Sequence, residues 1–185
     1  MKKILIIAAL FTAAIATHAA PRGTEIGVGY GAFPAMQSVD AYNGNWDGIN
    51  PWGAVNITID HTFAPCLKLG LSYTLSSAST ANATTVTPTG RATAAGGDIT
   101  WHALMVNARY DWLSRPRWRM YSTAAAGVLI SYYSPGWRDS YNNTRFGFQV
   151  SPVGFEVDLA PAVGLFAEAG YGVQGILQAG LRIGF

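Results

Sequence analysis

Charge is scarce in this chain. Asp, Glu, Lys and Arg make up 12% of its 185 residues, about half the share in ordinary soluble domains, where it is roughly 25%. So few charges cannot cover a water-facing surface. Cysteine is nearly missing as well: Cys66 is the single one, so no internal disulfide can form. After Ala19 no apolar stretch approaches the length of about 20 residues that a spanning helix requires. A basic excess is also lacking. The formal net charge of +2 includes Lys2 and Lys3, and without them the chain is near neutral, which argues against a nucleic-acid partner.

What the chain does have begins with "MKKILIIAALFTAAIATHAAP": two lysines, an apolar run over 4–16, then small residues at Thr17 and Ala19. This three-part order predicts a secretory signal peptide over 1–19, cleaved after Ala19, with residues 20–185 as the mature domain. No Cys follows the apolar run, so lipid attachment is unsupported.

Alternation with period two recurs from residue 24 onward, and no helical period is sustained. The clearest case is "LKLGLSYTL", where Leu67, Leu69, Leu71, Tyr73 and Leu75 oppose Lys68, Gly70, Ser72 and Thr74. The same reading gives Ile26, Val28 and Tyr30 on the first strand and Val55, Ile57, Ile59 and Phe63 on the second. It gives Leu104, Val106, Ala108, Tyr110 and Trp112 on the fourth. The alanine-rich fifth strand is ambiguous, and Met120, Val128, Ile130 and Tyr132 are assigned to its apolar face. In the sixth, parity slips at Pro152, which predicts a bulge. Val163, Leu165, Ala167, Ala169 and Tyr171 form the seventh, and "GILQAGLRIGF" the eighth. Short Pro-bearing turns alternate with long Gly/Asn/Ser/Thr-rich loops. The segment 76–97 reads as low-complexity and mobile. The expected fold is all-β: an eight-stranded antiparallel up-and-down transmembrane β-barrel.

Two features choose the lipid-facing side. The non-aliphatic face is Gly, Ala, Ser, Thr and Asn, unlike a solvated exterior. Aromatics gather at strand ends: Phe63, Trp112, Trp118 and Phe185 by short turns, and Trp46, Trp52, Tyr132, Tyr133 and Trp137 by long loops. Two belts flanking an apolar band are the pattern of a transmembrane barrel. In hydrocarbon every backbone group must be paired, so the last strand must close on the first.

Inward parity then collects Glu25, Asp60, Asp111, Glu156 and Asp158 with Lys68, Arg109, Arg119 and Arg182 in one half of the lumen, with Glu168 higher. Hairpin counting sets Asp111 opposite Arg119 and Asp60 diagonal to Lys68, and closure brings Glu25 near Arg182. Buried charges need partners, so the expected lumen is a hydrogen-bonded plug. A narrow pore for small solutes is the rival reading.

Leu177, Ala179, Leu181, Ile183 and the terminal Phe185 in "GILQAGLRIGF" resemble the C-terminal signature of bacterial outer-membrane barrels. "VGFEV" and "GYGVQGILQAGLRIGF" resemble the closing hairpins of small OmpA/OmpX-type barrel domains. The resemblance covers the mature chain in architecture, and its sequence-specific part is the last 40 residues or so. It implies an outer-membrane address, lipid and lipopolysaccharide surroundings, and contact with periplasmic chaperones and the barrel-insertion machinery through that terminal signal. It implies no particular activity.

No cofactor is expected, and no catalytic residue is assigned. Lipid-A-modifying chemistry, the enzymatic alternative, needs an activated serine or a histidine–acid set. His61 and His102 fall on the outward face with no serine two residues away. "NGNWDG" has the spacing of a calcium loop, but it holds one carboxylate (Asp47) and places Ala54 at the twelfth position. The expected role is therefore structural or interactive, through long loops carrying Trp46, Trp137, Arg138 and Tyr141.

Overall fold

The computed structural model describes residues 23–36, 52–79, 82–87, 90–95, 97–135 and 141–185. The leader at 1–19 lies outside the described residues, as do Trp46, Trp137, Arg138 and the "NGNWDG" loop. No helix among the described residues is long and apolar enough to cross a membrane, which leaves crossing by strands untouched.

Ten strands form: β1 (Thr24–Ala32), β2 (Ala54–Ala64), β3 (Leu67–Ser79), β4 (Asn82–Thr87), β5 (Gly90–Ala95), β6 (Gly97–Ser114), β7 (Trp118–Pro135), β8 (Tyr141–Ala160), β9 (Val163–Gly172) and β10 (Leu177–Gly184). Eight close an antiparallel barrel in the order β1-β10-β9-β8-β7-β6-β3-β2. The eight-stranded barrel expected from alternation is present. Closure runs through β1 and β10, with Val28 opposite Leu181. The terminal residue is held too: Phe185 N–H donates to the Thr24 carbonyl at 3.0 Å, and its own carbonyl accepts from Gly23 N–H at 3.0 Å.

The low-complexity segment 76–97 takes extended backbone over much of its length. β3 continues to Ser79, β4 and β5 pair as a separate two-stranded hairpin, and β6 starts at Gly97. Its threonines are β-branched, and β-branched residues favour extended backbone even in a plain sequence.

The proline signal in the sixth predicted strand is realised as a register shift between Val150 and Val153 on β8. Pro152 has no N–H to give the ladder, and its carbonyl accepts from Ser122 Oγ at 2.7 Å. The pairing of β8 with β7 shifts at the same level, where Tyr121 and Thr123 face Gly154 and Ser151, so the extra residue lies on β8 on both sides.

Burial is inverted relative to a water-soluble barrel. Leu71, Leu104, Val106, Phe146 and Leu165 are exposed on the outside, while Arg109 and Glu156 are fully buried within. Strand five follows the assigned face: Val128 and Tyr132 are exposed, and Tyr121, Leu129 and Ser131 point in and are buried.

Candidate functional site

The lumen is built in two storeys. The one toward the short turns is ionic. β1 contributes Glu25, β2 Asp60, β3 Lys68, β6 Arg109 and Asp111, β7 Arg119, β8 Glu156 and Asp158, β9 Glu168, and β10 Arg182. All but Arg119 and Asp158 are buried, and those two are partly covered at the mouth.

Glu156 is one hub. It meets Arg182 Nη1 at 2.8 Å, Arg109 Nη1 at 2.9 Å and Arg119 Nη2 at 2.5 Å. Glu25 is the other, with Lys68 Nζ at 2.6 Å, Arg119 Nη1 at 3.3 Å and Arg109 Nη1 at 3.5 Å. Asp111 accepts from Arg109 Nε at 2.7 Å, Asp158 lies 3.1 Å from Arg119, and Glu168 lies 2.7 Å from Arg182.

Tyr121 sits at the middle of this layer. Arg109 stacks on its ring at 3.7 Å and Arg182 at 4.8 Å, while its hydroxyl donates to Glu168 at 2.8 Å. The ring needs its neighbour Gly154 to be bare, because a Cβ there would collide with the aromatic edge. Cation–π contact and hydrogen bonding together fix the two guanidinium planes.

Two expected pairings are corrected, and a third holds in register but not in contact. Asp111 faces Tyr121 across the β6–β7 ladder, and Arg119 faces Ser114, because the register shifts between Asp111 and Leu113. Asp60 is diagonal to Lys68 in register, since Thr62 opposes Lys68. The Lys68 ammonium nevertheless turns to Glu25 and, at 3.9 Å, to Asp111. Glu25 does not take Arg182, which goes to Glu156 and Glu168. Counting along hairpins sees only adjacent strands. In a barrel this narrow, long side chains also meet across the lumen: β1 and β7, which supply the Glu25–Arg119 pair, are on opposite walls.

The storey toward the long loops is mainly apolar, with Arg145 opposite Leu129 as its charged member. Met36, Ile99, Trp101, Ala103, Met105, Leu129, Tyr133 and Val173 cluster there, all buried. Sequence reasoning missed this layer by treating the inward face as small and polar. The signal was present as inward parity at Trp101 and Met105. Large residues meet small ones across the β6–β7 ladder: Trp101 opposes Ser131, Leu129 opposes Ala103, and Met105 opposes Gly127. A Cβ at Gly127 would strike the backbone at Leu104 and Met105. Tyr133 is corrected from belt to lumen. Neighbouring strand residues point to opposite faces, so Tyr132 and Tyr133 cannot share the outside.

Between the storeys, the β9–β10 turn folds over the opening. Gln149 Oε1 accepts from Gln174 N–H at 3.0 Å, and Gln149 Nε2 donates to the Gly175 carbonyl at 3.1 Å.

On the outer surface, Phe63, Trp112 and Trp118 lie toward the short turns, and Trp118 packs on Phe155 with centroids 5.9 Å apart. Phe185, half-covered, lies at the same end. Trp52 and Tyr132 lie toward the long loops; Trp52 Nε1 donates to Ser77 Oγ at 2.7 Å, and its ring lies 5.8 Å from that of Tyr30. His102 Nδ1 is 2.6 Å from Tyr73 Oη and sits edge-on to Tyr132. His61 is joined to Thr24 at 3.0 Å. On β10, Leu177, Ala179 and Leu181 face outward and exposed, while Ile183, on the same parity, is covered.

Several solved structures are similar to this chain, three of them as follows. One is the N-terminal β-barrel domain of OprF from Pseudomonas aeruginosa, at 13% identity and TM-score 0.48, covering 88% of this chain and 96% of that one. The second is Ail, the attachment invasion locus protein of Yersinia pestis, in complex with the heparin analogue sucrose octasulfate. It matches at 13% identity and TM-score 0.47, covering 86% of this chain and 92% of that one. The third is another Ail structure, at 14% identity and TM-score 0.42, covering 86% of this chain and 91% of that one. No protein-family model matches the chain, and no curated protein matches it.

Proposed function

We propose that this protein is an integral outer-membrane β-barrel with a closed lumen, acting as a structural or surface-interaction element through its long loops. The observation that carries this reading is the inversion of burial. Exposed side chains along the wall are Val, Ile, Leu, Phe and Tyr, whereas Arg109, Glu156, Gln149 and Ser151 have no solvent exposure. Water would leave that exterior unsatisfied, and acyl chains suit it. Two aromatic levels, Phe63, Trp112, Trp118 and Phe185 at one end and Trp52 and Tyr132 at the other, act as interfacial girdles. The signal-peptide pattern read over 1–19 and the β10 pattern ending in Phe185 support delivery by periplasmic chaperones to the insertion machinery.

Both storeys argue against a pore. The ionic layer bridges opposite walls, and the apolar layer fills the other half with side chains. Catalysis is not part of the proposal. His102 is engaged by Tyr73, and His61 by Thr24, with no serine nucleophile in either pair.

The test is electrophoretic mobility in SDS with and without boiling, after refolding into detergent. A heat-modifiable band that needs detergent or lipid to stay in solution supports the reading. A monomer freely soluble in plain buffer sinks it. Planar bilayers and the lipid-A mass spectrum of expressing cells separate the rivals: stable channel steps favour a pore, and a new acyl mass favours an enzyme.

A further inference from the structure

The three turns at the short-turn end differ in charge. The β2–β3 turn carries Pro65 and Cys66, and the β8–β9 turn Pro161 and Ala162, with no charged side chain in either. The β6–β7 turn carries Arg115 and Arg117 on either side of Pro116, all three exposed. Neither arginine side chain has an ion pair or hydrogen bond among the described residues. Their backbones are nevertheless held from both sides. Arg115 N–H donates to the Trp118 carbonyl at 2.9 Å, and the Arg117 carbonyl accepts from Asp158 N–H at 2.9 Å.

Both side chains line an open hollow of about 860 Å³ at this mouth of the barrel. Two other cations line it, Lys68 and Arg119, and carboxylates engage both. Its two carboxylates are engaged as well, Asp111 by Arg109 at 2.7 Å and Asp158 by Arg119 at 3.1 Å. Arg115 and Arg117 are therefore the free charge of the mouth. The lumen behind them has six carboxylates against four cationic side chains among the described residues. The bore thus repels an anion, and the rim is where one can be held.

The level of the turn points to the source of that anion. Trp112 and Trp118, on the two strands that the turn joins, belong to the aromatic belt at this end, and such belts mark the headgroup level. Arg115 and Arg117 come directly after and before them along the chain, at the depth of lipid phosphates. An apolar row leads away from Arg117 on the outer wall. Trp118 packs on Phe155 and faces Val157 across the ladder, and Leu159 follows, exposed, on the same parity. Guanidinium forks match phosphate oxygens, and basic clusters beside a membrane attract anionic lipids.

We propose that the β6–β7 turn is a binding site for the phosphate headgroup of an anionic phospholipid, held by Arg115 and Arg117 with its acyl chains against Trp118, Phe155 and Leu159. This site rests on the membrane reading above and narrows it from lipid surroundings to one class of lipid.

The test refolds the protein into nanodiscs of equal phosphatidylcholine and phosphatidylglycerol and counts the lipids retained on release by native mass spectrometry. The expected result is a several-fold enrichment of phosphatidylglycerol on the unaltered protein, falling to the bulk ratio in Arg115→Gln/Arg117→Gln. If the double variant does not refold, each single substitution serves, with a partial loss expected. No enrichment on the unaltered protein, or full enrichment on the double variant, overturns the proposal. Inorganic phosphate that abolishes the enrichment at constant ionic strength reveals a site for a free anion and overturns the lipid assignment. A heat-modifiable band in these samples shows that the barrel is folded in the bilayer, so a failure of lipid choice is distinct from a failure of the membrane reading.

Discussion

The two storeys of the lumen fill the same barrel by opposite means. Toward the short turns, Arg109, Arg119 and Arg182 converge on Glu156, and the layer is held by charge and direction. Toward the long loops, Trp101, Met105, Leu129 and Tyr133 fill space by size, the first three each set against a small residue and Tyr133 against Ile99. The ionic layer ties strands that are not neighbours, because a guanidinium can reach across the bore. The apolar layer depends on local fit. The first therefore fails when one hub is removed, and the second fails in proportion to the volume lost.

Breaking the ionic hub has the largest expected effect. Glu156→Ala takes the shared carboxylate from three arginines, each left with its other carboxylate partners, and removing one partner of a buried ion pair costs about 3–5 kcal/mol. Urea unfolding of the protein refolded into vesicles measures this, and a loss below about 1 kcal/mol would show that water already solvates these arginines. Trp101→Ala comes next, at about 3 kcal/mol for a large-to-small change in the apolar layer. Neither single variant conducts in planar bilayers, because the other storey still closes the bore. The combined variant does conduct, and its silence would mean that one storey suffices.

Gly154→Ala has a smaller effect, about 1–3 kcal/mol, since the added methyl displaces the Tyr121 ring and with it the stacked arginines. It tests whether the ionic layer also relies on fit, and unfolding unchanged from the unaltered protein would answer no. Outside both storeys, Trp118→Ala removes the contact with Phe155, with an effect of about 1 kcal/mol. A larger loss there would place more of the stability in the rim than in the lumen.

Much of the fold was legible along the chain. Period-two alternation named the outward residues, and the parity slip at Pro152 located the bulge between Val150 and Val153. Inward parity also found each of the ten charged residues of the ionic layer. Partner choice was not legible. Asp111 was set opposite Arg119, but a one-residue shift before Leu113 moved the ladder, and Arg109 on the same strand took the carboxylate. Tyr133 was misjudged, and Trp101 passed over, for a different reason. Aromatic residues near strand ends suit both a girdle and a lumen, and only their parity separates the two.

The sequence by itself determined the strands, the face each presents, and the need for the last strand to close on the first, because side-chain alternation and backbone pairing are local rules. The tertiary structure alone decided which charges meet, that the bore has a mainly apolar half, and that Asp60 accepts from Asn107 instead of taking Lys68. Those outcomes depend on distances across the barrel, and such distances exist only once the sheet has curved and closed.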